Sequence, residues 1–291
     1  MKHLLLAGST GYLGKHILIF FLKEGYQISI IVNSESKLYK IENLLSQVKI
    51  INIEDVDFHK KINECKFDMF ISAAVDYGYI TTNSSVIDCN IKLPMKIIES
   101  IENKKELMVI TFDSFYSKNK YYEEVAQSRY TLSKKQLIEW LNYENKISSL
   151  TSLILRLEHV IGPKESTNKF NGWLIDKLKL DSSVIELTMG EQIRDFILIS
   201  DILTAIKLLI ENSAMFISKN TLIDVGSGKG YTIKEFVELL HKKTNSNATL
   251  KFGAMQYKRD DLMQSIAKND LLLGLGWKPI SNLEQIIDNV I

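Results

Sequence analysis

The stretch "SRYTLSKKQ" places Tyr130 and Lys134 four residues apart. On a helix that spacing puts both side chains on one face. An ammonium there favours the phenolate and moves a phenol of intrinsic pKa about 10 towards proton exchange near neutrality. The pair suits proton transfer to or from a carbonyl or hydroxyl. A second constellation, "LLLAGSTGYLGKH" (4–16), spaces Gly8, Gly11 and Gly14 three apart after a short apolar run. Strand, glycine turn and helix start follow in that order, and such a helix start offers free N–H groups and partial positive charge to a pyrophosphate. This is a dinucleotide site in which Gly8, Thr10, Gly11, Tyr12, Leu13 and Gly14 meet the cofactor.

These residues need a scaffold, and the first half supplies one. Apolar, β-rich runs at 3–7, 27–32, 48–53, 67–73, 107–112 and 150–156 predict strands. Helical patterns lie between them at 12–24, 35–46, 86–103 and 129–146. Alternation of this kind predicts an α/β fold with a doubly wound, Rossmann-like parallel sheet covered on both faces. After "GPKESTNKFNG" (162–172), a polar loop, the rhythm breaks. Helices near 171–180, 201–212 and 232–243 then mix with short strands. The expectation is a dinucleotide-binding domain over 1–160, with returning segments from 190–230, and a smaller lobe over 161–291.

Composition narrows the partners. The 291 residues are 45% hydrophobic and 24% charged with formal net charge +1, so nothing global recruits nucleic acid or an anionic membrane. The early apolar run "ILIFFL" is far too short to span a bilayer. "MKHLLLAGST" lacks the hydrophobic core of a signal peptide. Cys65 and Cys89 show no metal-ligand spacing, so no metal site is expected, and the cytoplasm is the expected compartment.

The second strand ends "IIVNSESK". An acid at that tip would bond an adenosine ribose and repel a 2′-phosphate. Asn33 and Ser34 stand there instead, which tilts the cofactor towards NADP(H) with NAD(H) left open. Asn33 reads equally as a plain strand-ending residue.

The Gly-x-x-Gly-x-x-Gly spacing, followed by Tyr-x-x-x-Lys, resembles the short-chain dehydrogenase/reductase superfamily. Its extended members form the NAD-dependent epimerase/dehydratase family, which carries a C-terminal sugar-nucleotide lobe. The resemblance makes Tyr130 and Lys134 the catalytic tyrosine and lysine. "ISAAVDYG" (71–78) looks like the loop after the fourth strand, where Ala73 and Ala74 allow close cofactor approach. Asn90 in "DCNIKLP" resembles the family's helix asparagine. "RLEHVIGP" (156–163) resembles the segment that holds nicotinamide, with His159 replacing the usual asparagine; packing is its other reading. "GEQIRDFI" (190–197) resembles the motif whose arginine meets the substrate diphosphate. Arg194 would fork two hydrogen bonds onto phosphate, unless it forms a surface salt bridge with Asp195. Arg259 in "YKRDD" is a second phosphate candidate, Asn168 in "TNKFNGW" a candidate cap on the nucleotide, and Asp113 a further substrate contact.

One position departs from the pattern. The fifth strand of the family ends in a Ser or Thr that orients the substrate carbonyl, and the match places Phe112 there. Thr111 should face the other side by strand alternation. Ser114 shares the parity of Phe112, so it supplies the hydroxyl if the strand has already ended; otherwise the hydroxyl is missing.

"RLEHVIGP", "GEQIRDFI" and "FGAMQYKRDDLMQSIAKNDLLLGLGWKP" together resemble the CDP-abequose/CDP-paratose synthase group of nucleotide-sugar 4-ketoreductases. That resemblance implies NADPH-dependent reduction of the 4-keto group of a CDP-linked deoxyhexose, for surface polysaccharide sugars such as those of lipopolysaccharide. A nucleotide-sugar epimerase or 4,6-dehydratase with retained NAD, and a non-catalytic NADP(H) sensor supported by Phe112, are the alternatives. A homodimer is also implied, built on the helices at 86–103 and 129–146, whose Val86, Ile87, Ile91, Ile97, Ile98, Leu137, Ile138 and Leu141 occupy more than one face.

Overall fold

The computed structural model describes residues 2–118, 128–180, 184–257 and 261–291. It divides into two compact units. The first takes the chain through Ser117, the stretch ending at Arg156, and Leu209–Ile223; the second takes Lys118, Leu157–Leu208 and Asp224–Ile291.

The first unit is built on β1 (His3–Ala7), β2 (Gln27–Val32), β3 (Lys49–Asn52), β4 (Met69–Ser72), β5 (Met108–Ser114) and β6 (Thr151–Leu157). After three strands of the second unit, β10 (Asn220–Val225) returns to the edge, giving the order β10-β6-β5-β4-β1-β2-β3. β1 runs parallel to both β2 and β4, as does β2 to β3 and β4 to β5. The order therefore reverses at β1 and β4, the place where ligands sit outside the carboxyl ends of such sheets. Every residue of β1 and β5 is buried, as expected of strands covered on both faces. Helix α1 (Tyr12–Lys23) buries Ile17, Leu18 and Phe21. The short helices α2 (Phe58–Glu64), α3 (Asn83–Ile87) and α4 (Leu93–Glu99), with the long α5 (Arg129–Ser148), complete the layers. Phe58, Ile97, Ile98, Leu137 and Leu141 join Leu5, Phe70 and Val109 of the strands in one core.

Three elements differ from the sequence pattern. The segment expected as a helix over 35–46 is a run of 3₁₀ turns, Leu38–Gln47, kinked at Ile41. Ile41 is its single buried residue, so too little apolar surface holds a regular helix there. The helix expected over 86–103 starts earlier, because the Thr82 hydroxyl accepts the Ser85 N–H as an N-cap. It is broken by a π turn, Asp88–Lys92, before α4 ends at Glu99. β5 runs two residues beyond 112, which bears directly on the site.

In the second unit β7 (His159–Ile161), β9 (Ile193–Leu198), β11 (Gly230–Thr232) and β13 (Gln264–Ser265) form one sheet, while β8 (Val184–Leu187) pairs with β12 (Thr249–Phe252). Helices α6 (Phe170–Lys179), α7 (Ile199–Glu211) and α8 (Ile233–Thr244) follow their strands. The core centres on Phe196 stacked on Phe236 at 4.3 Å, with Leu174, Leu178 and Leu240 around them. Asp195 has no exposed surface. It takes the N–H groups of Ser227, Gly228 and Ala267 at 2.7, 2.9 and 3.0 Å and the Ser227 hydroxyl at 2.7 Å. Among the described residues no helix is long and apolar enough to cross a membrane.

Candidate active site

The glycine loop leaves the C-terminal end of β1 and starts α1. Its three glycines are absent side chains for two different reasons. A Cβ on Gly8, whose φ is +85°, would lie 2.3 Å from the Ala74 nitrogen, and one on Gly14 would lie 2.0 Å from the Gly8 oxygen. These two permit β1, the loop after β4 and α1 to touch backbone to backbone. A Cβ on Gly11 would meet only the Gly8 oxygen, at 3.3 Å, and otherwise open space. Gly11 is the N-cap of α1 with no side-chain cap, and no acid occupies the first turn. A pyrophosphate fits this cradle. Thr10, Tyr12 and Leu13 lie on the same turn, and Ala73, which donates its N–H to the Ala7 carbonyl at 2.9 Å, stands beside it with Ala74.

At the tip of β2, Asn33 folds back on Ser36, whose hydroxyl donates to Asn33 Oδ1 at 2.8 Å while accepting the Asn33 N–H at 3.0 Å. The Ser34 N–H and hydroxyl donate to the two carboxylate oxygens of Glu54 at 3.0 and 2.9 Å. The acid that the β2 sequence lacks at this tip is thus supplied from beyond β3.

Tyr130, Lys134 and Ser114 come together within the first unit. Tyr130 and Lys134 sit in the first turns of α5, and the Lys134 ammonium lies 5.7 Å from the Tyr130 ring centre. Tyr130 is half-buried as a residue, and its phenol is densely surrounded. Burial, then the neighbouring Tyr77 and Asp113, push its pKa up, and hydrogen bonding from Ser114 pulls the other way. Burial brings the Lys134 ammonium down to about 8, opposed by Asp113 and Cys89. This differs from the expectation of a phenol drawn towards neutrality: burial is the largest influence on Tyr130 and favours its protonated form. The strand does not end before Ser114. β5 stays regular through it, and the shared parity of Phe112 and Ser114 brings the serine to the phenol. Phe112 is buried in the strand.

Asp113 is 2% exposed. One oxygen accepts from Arg156 at 2.9 Å and the other from the Ser117 hydroxyl at 2.6 Å, so the carboxylate expected to touch substrate is held at both oxygens and acts on Tyr130 and Lys134 through its charge. Asn90, expected at the cofactor, is engaged by the loop after β4. Its Oδ1 accepts the Asp76 N–H and its Nδ2 donates to the Asp76 carbonyl and the Ser133 hydroxyl, each at 2.8 Å. The amide clasps the loop after β4 to α5.

The remaining candidates belong to the second unit. Arg194 is 4% exposed, bonded to Asp261 at 3.2 Å and to the Ile193 carbonyl at 3.0 Å. The surface salt bridge with Asp195 is not formed, because Asp195 faces inward onto its loops. The His159 ring packs on Phe196 at 5.1 Å, and its Nε2 lies 3.2 Å from Asn171 Oδ1. Burial and the nearby Arg194 bring its pKa down to about 4, so it is neutral at physiological pH. Asn168 is exposed on a turn, whereas the buried Asn171, three residues on, carries the side-chain contacts. Arg259 lies outside the described residues. Among the described residues no group of acidic, histidine and cysteine side chains could hold a metal ion.

The family model described as "NAD dependent epimerase/dehydratase family" matches residues 4–223. The chain belongs to this family. Relatives within reach of it include a CDP-abequose synthase of Salmonella muenchen, 31% identical over 98% of this chain and 95% of that protein. A CDP-abequose synthase of Salmonella typhimurium is 28% identical over 100% of this chain and 97% of that protein. The fold is shared with the UDP-glucose 4-epimerase of Thermotoga maritima solved with UDP-glucose, at TM-score 0.79 and 18% identity over 99% of this chain and 98% of that one. It is shared too with the UDP-glucuronic acid 4-epimerase of Bacillus cereus in complex with UDP-glucuronic acid and NAD, at TM-score 0.78 and 19% identity over 99% and 97%.

Gly11→Val should abolish dinucleotide binding in calorimetric titration while the protein keeps its circular dichroism spectrum, since the side chain fills ligand space and its one close backbone neighbour, the Gly8 oxygen at 3.3 Å, need give only slightly. Unchanged affinity would remove the glycine loop from the site.

Proposed function

We propose that this protein is a nucleotide-sugar 4-ketoreductase, acting on a nucleoside-diphosphate deoxyhexose with cytidine as the favoured base. The observation that carries the reading is geometric: the Lys134 ammonium lies 5.7 Å from the Tyr130 ring centre and the Ser114 side chain hydrogen-bonds the Tyr130 phenol. Reduction of a ketone needs a proton donor at the developing alkoxide, and a phenol held protonated by burial is that donor. A bound nicotinamide dinucleotide supplies the hydride. Tyr130 gives its proton to the C4 oxygen, Ser114 bonds that oxygen, and the Lys134 ammonium stabilises the phenolate left behind. In the second unit Arg194 is assigned to the diphosphate and Asn168 to the nucleotide cap. Full-length similarity to two CDP-abequose synthases supports the choice over the epimerase and sensor readings. Incubation with a reduced nicotinamide cofactor and a panel of nucleotide 4-keto sugars should consume cofactor, with the CDP-linked deoxysugar turned over fastest. Tyr130→Phe should keep cofactor affinity and lose about two to four decades of turnover. A loss below tenfold would mean that the proton comes from elsewhere.

The cofactor preference turns on Glu54. The sequence leaning towards NADP(H) rests on the missing acid at the β2 tip, and the Glu54 carboxylate bonded to Ser34 supplies a negative charge at that tip, where an acid bonds an adenosine ribose and repels a 2′-phosphate. That favours NAD(H). Wild-type protein should bind NADH more tightly than NADPH in side-by-side titrations, and Glu54→Gln should narrow the gap. Tighter NADPH binding by the wild type would restore NADP(H).

A homodimer is part of the same proposal, on a surface that keeps only Ile87 of the residues named from the sequence. Val86, Ile91, Ile97, Ile98, Leu137 and Leu141 are buried, and Ile138 packs against their core. The exposed apolar residues of α5 are instead Leu132, Trp140, Tyr143 and Ile147, each at least 49% exposed, and α3 adds Ile87 at 41%. These spacings share one helical face. Trp140→Asp should convert a dimer to a monomer by light scattering; a wild-type monomer at all concentrations would contradict the assignment.

A further inference from the structure

The loop after β4 presents aromatic rings that the reaction as proposed does not use. Tyr77 lies with its ring centre 5.0 Å from that of Tyr130, tilted by 40°. Tyr79 stacks behind Tyr77 at 5.7 Å and 9°. Tyr77 is half-buried, whereas Tyr79 is 76% and its neighbour Ile80 98% exposed. Large apolar side chains grouped in water beside a reactive phenol mark a surface made to be covered.

Hydrogen bonds tie the loop to itself and to α5. Asp76 Oδ1 accepts the Gly78 N–H at 2.8 Å and the Thr81 hydroxyl at 2.9 Å. Asn90 brackets the Asp76 backbone from both sides and bonds Ser133, whose hydroxyl in turn donates to the Tyr130 carbonyl at 2.7 Å. Arg129, the first residue of α5, donates to the Thr81 carbonyl at 2.7 Å. Gly78, at φ +72°, gives the turn that puts Tyr77 and Tyr79 on the same side. The loop is thus tied to the helix turn that carries Tyr130, and what it offers a ligand is ring faces.

We infer that Tyr77, backed by Tyr79, is the wall of the Tyr130 centre that receives the apolar face of the substrate's sugar ring, and that it selects deoxyhexoses over fully hydroxylated ones. The inference rests on the 4-ketoreductase reading. An aromatic face packs well on C–H groups and offers nothing to a ring hydroxyl, so a sugar lacking hydroxyls loses less on leaving water. Asn90 is by the same argument a positioning residue, acting through the loop.

The test is steady-state kinetics and calorimetry on the full-length protein with Tyr77→Ala and Tyr77→Phe. NADH affinity should be unchanged in both, which reports an intact fold and cofactor site. Tyr77→Ala should raise KM for a CDP-linked 4-keto deoxyhexose about tenfold, the scale of one lost aromatic contact, with kcat within about threefold and affinity for CDP alone unchanged. The wild-type preference for a 3,6-dideoxy over a 6-deoxy substrate should shrink. Tyr77→Phe should behave as wild type, because the ring and not the hydroxyl makes the contact. A fall in kcat with KM unchanged, or an equal loss in Tyr77→Phe, would overturn the inference and leave Tyr77 as support for Tyr130. Wild-type protein that neither binds nor reduces any nucleotide sugar would instead remove the underlying reading.

Discussion

Everything in the first unit hangs on a contact in which no side chain fits. The backbone of Gly8 lies against Ala74 on one side and Gly14 on the other, closer than any Cβ allows. This contact sets the end of β1, the loop after β4 and the start of α1 at one point, where the strand order reverses. From that point two consequences follow. The N-terminus of α1 opens beside Gly11, which alone of the three glycines has space in front of it. The loop after β4 leaves Ala73 and Ala74 in a fixed direction, and the Asn90 clasp then joins it to α5 and the Tyr130 turn.

Burial governs the chemistry of the proton site in opposite senses for its two ionisable groups. It raises the phenol and lowers the ammonium. A tyrosine that donates must arrive protonated, which burial secures. A lysine brought to about 8 keeps most of its charge at neutral pH and loses it as pH rises through that value. Asp113, held by Arg156 and Ser117, supports the ammonium without entering into hydrogen bonding with it.

Much of this was legible in the chain. The strands at 3–7 and 27–32 appear with their predicted ends, because apolar runs covered on both faces carry their own signal. Tyr130 and Lys134 share a face because helix geometry demands it. What escaped depends on contacts between elements. Glu54 reaches Ser34 across twenty residues, although the register that pairs Val32 with Asn52 would bring together positions two further along each strand. The length of β5, and with it the place of Ser114, could not be judged from a composition in which Phe112 already broke the pattern. The clasp of Asn90 on Asp76 carries no sequence signal, since it exists only once the loop has folded back. Asn171 stands three residues after the exposed Asn168, and that it is the buried one of the two depends on the packing of α6, which the local pattern does not carry.

The account stands or falls on where a hydride goes. The protein should be given a nicotinamide cofactor carrying deuterium at the transferable C4 position together with a CDP-linked 4-keto deoxyhexose, and the product sugar analysed by mass spectrometry and NMR. Transfer of one deuterium to sugar C4 for each cofactor oxidised is the predicted result. A converted sugar without deuterium, or conversion with no net cofactor oxidation, would contradict it and mark an enzyme that returns the hydride to the sugar it came from.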